Sequence, residues 1–443
     1  MDELKRQLGL GTATSVVIAN MIGAGIFTTT GIMLGELKSG GLVLLGWLLG
    51  GLIALAGALC YAELATMMPR AGGEYAYLRE IYGPLPAFLT GWTSFFVGFA
   101  APIAMSALGA AAYIAPWFGV APQPDSPASP TEKSIAVTLV LIFSLVHALG
   151  VRFGAGVQNT LTILKLALLA GFIAAGLATL RGAAPMAEGS LWSGSRPAGL
   201  GVAMLWVMFA YSGWNAAAYL GEEVREPARN LPRALFAGTL VVMLLYLGVN
   251  LAFFLNAQIA AQLGGRVTVF DVAARLMFGD ATGRWVSVLV FAALVSSLSA
   301  FVLIGPRVYF AMARDGCFFP AAEKVHPRLG TPLLAIAAQA AWAVLLVVTG
   351  RFDQLLTYIG FALGIFPLMA VAGVFVQRAR QPQRERPFRV WGYPLTPAFF
   401  LLAMTAILVV AFYGRPKESS IAIATVVAGI PVYWFIFRKK QRM

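Results

Sequence analysis

Ile22-Gly23-Ala24-Gly25-Ile26-Phe27 lies inside the first long apolar stretch of the chain, and its reading decides the fold. The stretch is otherwise long enough to cross a bilayer, which takes about 20 apolar residues. Its glycines let the backbone leave helical geometry and let a ligand come close. A second interruption, Tyr211-Ser212-Gly213-Trp214-Asn215, breaks another apolar run in the second half. Broken backbone at membrane depth persists only where it is buried in protein or lines a cavity. Two broken spans at corresponding places in two halves point to a substrate site near the midplane. The pair therefore predicts a protein that moves a small solute across a membrane. Close helix packing through small residues is the plainer reading of Gly23 and Gly25 alone; the second break argues against it.

Composition supports a membrane protein. Hydrophobic residues make up 59% of the chain and charged residues 12%, half of what a soluble domain carries. Twelve apolar runs are expected as helices, near 12–38, 42–66, 86–116, 134–150, 155–181, 199–221, 232–255, 284–313, 332–350, 354–377, 397–413 and 419–437. The first shows no signal-peptide cleavage pattern and is expected to be retained as a span. Residues 74–80, amphipathic, read as a helix on the inner surface. Residues 119–133 and 256–283 read as external loops, the latter with a short helix, and 378–396 as a basic inner loop. The net charge of +13 would suggest nucleic acid in a soluble protein. Here the basic residues cluster in short loops, as the positive-inside rule requires. With both termini in the cytoplasm, about 21 of the 32 Lys and Arg fall inside, about 10 outside and one in the membrane. The two cysteines, Cys60 and Cys317, are placed too differently to pair, and no Cys/His spacing suggests a metal site.

The breaks carry a chemical polarity. The half-helix that starts near Gly25-Ile26 presents free N–H groups and a positive dipole end, suited to a carboxylate. Carbonyls near Phe209-Ala210-Tyr211 end a half-helix unpaired and suit an ammonium. Together they would clamp a free α-amino acid. Lys165 lies well inside a span, and an ionisable residue there is a functional candidate by default; a lysine snorkelling to the inner headgroups is the alternative. It would act as a fixed cation or as a proton carrier. His147 reads as a packed or interfacial histidine, Glu63 as the partner of an inner base, and Glu222-Glu223 as a cytoplasmic ion-pair network or gate. Ser296, Ser297 and Ser299 need a partner beyond their own helix, and Lys165 would be one.

Taken in order, Ile22–Phe27, Gly72-Gly73-Glu74-Tyr75-Ala76-Tyr77, Phe209–Asn215, Glu222-Glu223, Asn230-Leu231-Pro232 and Arg314-Asp315-Gly316 resemble the amino acid–polyamine–organocation (APC) superfamily. The match is nearest to its L-type amino-acid transporter branch and covers nearly the whole chain. The resemblance implies an all-α LeuT-type fold of about 12 transmembrane helices, with helices 1 and 6 broken. Residues 12–181 and 199–377 would form two inverted five-helix repeats, and 397–437 two additional helices. It implies that N–H groups around Gly23, Ala24 and Gly25 bind the substrate carboxylate. Carbonyls of Met21, Phe209, Ala210 and Ser212 would bind the amine. Phe209 would be the aromatic gate, Asn215 a polar neighbour and Phe301 a pocket wall. Lys165 would stand where sodium sits in sodium-coupled relatives, against the carbonyls of Ala19 and Ile22 and the Ser297 hydroxyl. Two departures matter. Many members carry serine where Ala24 stands, and the loop from Pro122 to Lys133 lacks the cysteine that joins animal members to a glycoprotein subunit. A covalent heavy-chain partner is therefore not expected.

The expected activity is sodium-independent transport of free L-amino acids across the cell's plasma membrane by alternating access. Exchange is favoured, and no cofactor, metal or nucleic acid is implied. The broken segments carry no acidic side chain, which favours an uncharged substrate side chain. Proton symport and a cationic amino-acid or polyamine substrate are the alternatives. A non-transporting sensor should add a cytoplasmic signalling domain, and only Arg438–Met443 follow the last span. No filter motif suggests a channel, and no nucleophile–base arrangement suggests an enzyme.

Overall fold

The computed structural model describes residues 6, 8–120, 128–149, 151–178, 197–265, 268–324, 326, 329, 331–349 and 352–437. Ten helical segments among them are long and apolar enough to cross a membrane, and Gly199–Ala210 and Leu333–Thr349 are shorter apolar helices. In chain order the helices are α1 (Leu10–Met21), α2 (Ala24–Leu37), α3 (Gly40–Met67), α4 (Glu74–Tyr82) and α5 (Pro84–Phe118). Next come α6 (Pro130–Ala148), α7 (Val151–Ala178), α8 (Pro197–Ala210) and α9 (Pro227–Phe254). Then follow α10 (Ala257–Leu263), α11 (Val269–Phe278), α12 (Asp280–Arg314) and α13 (Leu333–Thr349). The last are α14 (Phe352–Arg380), α15 (Leu395–Gly414) and α16 (Pro416–Val432). Most of the expected external loop 119–133 lies outside the described residues.

Burial separates an inner set of helices from an outer one. Buried residues dominate the α1–α2 segment, α5 and α12, whereas α6, α15 and α16 are mostly uncovered. Ile163 on α7 is 69% exposed and Leu402 on α15 is 73% exposed. Apolar surface on this scale is stable only against lipid. The molecule is an all-α, multi-pass membrane protein.

Two elements depart from the sequence expectation. The amphipathic helix α4 buries its acid Glu74 together with its apolar face, Tyr75, Tyr77, Leu78 and Ile81, while Glu80 stays exposed. Its aromatic face is bulky enough to be tucked into the bundle, where Tyr61 meets Tyr77 at 5.9 Å and the Tyr82 hydroxyl donates to the Met369 carbonyl on α14. The run 199–221 also does not resume as an α-helix after its break. It continues as one 3₁₀ turn, Ala216–Tyr219. Past it, Leu220 and Val224 form isolated bridges with Ala71 and Leu8, which hold the chain too extended for a helix.

Side-chain clusters tie the central helices together at both ends. At the α11 end, Phe270 packs on Phe27 (4.9 Å), Phe172 (4.7 Å) and Phe253 (5.3 Å). Beside this cluster the Gly265 N–H donates to the Gly31 carbonyl. At the α4 end the ties are ionic. Glu223 pairs with Arg307 at 3.0 Å and Glu222 with Arg314 at 3.2 Å. Asp315 pairs with Arg79 and accepts from the Tyr75 hydroxyl. Glu222 and Glu223 thus take partners from α12, not the adjacent Arg225 and Arg229. Glu63, buried on α3, takes two hydrogen bonds from Arg378 and one from the Val390 N–H, with Arg386 at 3.5 Å. A buried carboxylate needs such pairing, and here it pins the basic segment after α14 to the bundle.

Candidate functional site

The first break is short. α1 ends at Met21, Ile22 and Gly23 are non-helical, and α2 begins at Ala24. The N–H groups of Ala24, Gly25 and Ile26 therefore fall in the first turn of α2, where no intrahelical acceptor exists. The second break follows Ala210 and turns at Gly213, whose φ is +97°. Only glycine adopts that conformation without strain.

The breaks touch each other. A Cβ placed on Gly25 would stand 2.4 Å from the Cα and Cβ of Ala210, and one on Gly213 would stand 2.8 Å from the Asn20 carbonyl carbon. The buried Tyr246 hydroxyl on α9 lies 2.7 Å from the Met21 carbonyl oxygen and 3.1 Å from that of Ala210. With one proton, it donates to either or shares between them. These carbonyls are two of the expected amine acceptors, and each keeps a second lone pair. The Phe209 carbonyl accepts from the Ser212 N–H at 2.9 Å. Tyr246 carries no sequence signal of this role; only the packing of α9 against α1 brings it there.

Lys165 is fully buried on α7. Its ammonium donates to the carbonyls of Ile22 (2.6 Å) and Ala19 (3.1 Å) and to the Ser297 hydroxyl (3.0 Å). Ser297 in turn donates to the Ile22 carbonyl at 2.6 Å. The lysine therefore occupies the end of α1, where helix carbonyls lack intrahelical partners. It does not snorkel. His147 is buried and shares a 2.8 Å hydrogen bond with Ser299, which fits a packed histidine.

A cavity opens beside the second break. Phe209, Ser212, Asn215 and Phe301 line it, with Asn20, and α5 contributes Thr93, Ser94 and Phe99. Residues 94–99 form a π-helical segment in α5, a feature often found at functional sites. Side chains from other helices bond two of its carbonyls: Trp342 donates to that of Phe96 and Tyr309 to that of Ser94. Met21, Gly23, Ala24, Gly25 and Ala210 do not line this cavity. Gly23 nevertheless has room, since a Cβ there would meet nothing nearer than 3.8 Å. The cavity also contains a carboxylate, Glu74 of α4. Its Oε1 accepts from the Asn215 amide nitrogen at 2.6 Å, and burial raises its carboxyl to about 7. The broken segments themselves hold no acid, so sequence reasoning missed it.

A helical bundle with paired breaks, a buried lysine at one of them and a cavity at the other defines a membrane transporter of small solutes. A family model of amino acid permeases matches residues 8–437, and the chain belongs to that family. The serine/threonine exchanger SteT of Bacillus subtilis (strain 168) is 33% identical over 459 residues, covering 99% of this chain and 98% of the relative. The large neutral amino acids transporter small subunit 2 of Oryctolagus cuniculus is 30% identical, covering 97% and 80%. The human b(0,+)-type amino acid transporter 1 is 30% identical, covering 98% and 88%. The chain is an amino acid transporter and resembles the L-type branch of the APC superfamily.

Proposed function

We propose that the protein is a sodium-independent exchanger of neutral L-amino acids in the plasma membrane, working by alternating access. The observation that carries this reading is the Lys165 ammonium, held by two backbone carbonyls and a serine hydroxyl at the first break. Those are oxygen ligands of the kind a sodium ion takes. A fixed ammonium supplies the same charge without an ion that must be reloaded in each cycle, and exchange follows naturally. Substrate would lie beside the paired breaks, its carboxylate on the N–H groups of Gly23, Ala24 and Gly25. Its amine would face the carbonyls of Met21, Phe209, Ala210 and Ser212, with Phe209, Asn215 and Phe301 around the side chain. Ala19, Ile22 and Ser297 complete the lysine site.

Residues 12–181 and 199–377 are read as inverted repeats in a LeuT-type arrangement, with 397–437 as additional helices. The α4 end, with its arginines, is the cytoplasmic face, and both termini lie there. The loop from Pro122 to Lys133 offers no cysteine for a heavy-chain partner. Serine and threonine, named for the B. subtilis relative, are the first substrates to try. The test is counterflow into proteoliposomes with a panel of labelled amino acids, with choline replacing sodium and with or without a pH gradient. Unchanged uptake of neutral amino acids in choline is expected. Sodium dependence, accumulation driven by the pH gradient, or preference for arginine would each overturn part of the reading.

A further inference from the structure

Asn215 follows the second break and lines the cavity beside Phe209, Ser212 and Phe301. Its amide nitrogen lies 2.6 Å from Glu74 Oε1 and 3.5 Å from the Tyr219 hydroxyl. An ionised carboxylate accepts hydrogen bonds and cannot donate one, so only the NH₂ group of Asn215 can face it. The amide oxygen is then turned away from Glu74 and has no partner among the described residues.

We propose that Glu74 is a positioning residue for substrate selection: by holding the Asn215 amide, it makes the cavity offer a hydrogen-bond acceptor to an uncharged side chain bearing a hydroxyl or amide donor. This rests on the exchanger reading above. Asn215 is half-buried, and a site that bonds a hydroxyl there discriminates against the analogue that lacks it, because closing over that analogue leaves the acceptor unpaired. The burial of Glu74 beneath the cavity also makes the device reversible. A protonated Glu74 gains an O–H donor and can bond the Asn215 oxygen instead. The amide would turn over, and the cavity would present a donor.

The surroundings of Glu74 favour such a change near neutral pH. Burial raises the carboxyl to about 7, with the neighbouring polar groups of Tyr61, Asn215 and Tyr219 opposing the rise. The titratable groups facing it are phenols: Tyr61 from α3, Tyr77 from α4 itself and Tyr219 from the 3₁₀ turn. α5 and α12 face the cavity with uncharged residues such as Thr90, Thr93 and Ile304, and α14 with Leu363 and Phe366. The nearby arginines are engaged elsewhere, Arg79 with Asp315, Arg380 with the Ile81 carbonyl and Arg384 with Glu80.

Threonine and valine are nearly isosteric and differ in the one group that matters. Both share the backbone contacts and the lysine site, so their counterflow ratio cancels any pH effect common to the transport cycle. The ratio is to be measured at pH 6 and pH 8 in wild type and Glu74→Gln, with alanine as reference. Wild type should favour threonine by about tenfold or more at pH 8, and the ratio should fall severalfold at pH 6. Glu74→Gln should still carry alanine, with a lower and pH-independent ratio. Equal ratios at both pH values in wild type would overturn the proposal even if the variant fails to fold. So would a variant whose ratio and pH profile match wild type. Wild type that exchanges no amino acid at all would overturn the exchanger reading and this assignment with it.

Discussion

Gly25→Ala would place a methyl group where the two broken helices meet. The added carbon would stand 2.4 Å from both Cα and Cβ of Ala210. Carbon atoms at rest are about 3.5–4.0 Å apart, so the segments must separate by roughly 1 Å or more. Ala210 Cα is backbone and cannot swing aside as a side chain would. Overpacking of this kind costs about 1–3 kcal/mol. The same displacement pulls the Ala210 carbonyl away from the Tyr246 hydroxyl, now at 3.1 Å. Gly23→Ala is the control. Its Cβ would meet Ser297 at 3.8 Å, and its φ of −121° suits any residue. Proteoliposome counterflow and thermal unfolding in detergent read the two effects. Gly25→Ala should lower the unfolding midpoint and cut counterflow by at least about tenfold, the equivalent of 1.4 kcal/mol. Gly23→Ala should keep the wild-type midpoint and raise the apparent KM, because the methyl group narrows the approach to the N–H groups of α2. Wild-type counterflow and midpoint in Gly25→Ala would refute the contact between the breaks.

Other outcomes follow from the same geometry. Lys165→Ala removes the donor from the Ala19 carbonyl and leaves a cavity; an orphaned buried acceptor costs about 1–3 kcal/mol and a large-to-small core change about 2–5 kcal/mol. Counterflow should be abolished, and wild-type rates would refute the role of the ammonium. Tyr246→Phe takes the hydroxyl from the Met21 and Ala210 carbonyls and should lower the unfolding midpoint, by about 1–3 kcal/mol in stability; an unchanged midpoint would refute the brace. Glu74 should leave a pH signature on stability. Burial raises its carboxyl from the ordinary 4.5 to about 7, so between these values the folded protein holds a proton that the unfolded chain releases. Its stabilising contribution is present in full below about 4.5 and is lost as pH rises through about 7. It amounts to on the order of 3 kcal/mol. The difference in midpoint between wild type and Glu74→Gln should therefore change from pH 5 to pH 8, and a constant difference would refute it.

The helices were legible in the sequence because apolar runs in a membrane chain are long and polar interruptions are rare. The breaks were legible for the same reason: glycine pairs and a Ser-Gly-Trp-Asn segment stand out against Leu, Val and Ala. Lys165 announced itself as a charge inside a span. What the sequence did not reveal is what depends on one helix face meeting another. α4 has the charges of a surface helix, yet Tyr75, Tyr77 and Glu74 are buried where α3 and α14 pack on it. Glu222 and Glu223 have arginines close in sequence, but Arg307 and Arg314 are closer in space. The second half of the run 199–221 is apolar enough for a helix, and bridges from distant residues overrule that preference.

Tyr246 and Lys165 together give the two breaks unequal freedom. Tyr246 reaches both breaks from α9, so its hydroxyl bonds tie the end of α1 to the end of α8. Gly25 against Ala210 and Gly213 against Asn20 repeat that tie through packing alone. The Lys165 ammonium instead joins the end of α1 to α7, and Ser297 joins it to α12. Any motion that separates α1 from α7 and α12 must first release a buried ammonium from its acceptors, which is costly unless a replacement is at hand. A motion that carries α1 and α8 together breaks none of the ties between them. A motion that separates α1 from α7 and α12 would therefore carry a cost at the lysine site, beside that of the ion pairs at the α4 end, and would leave the seam between the breaks intact.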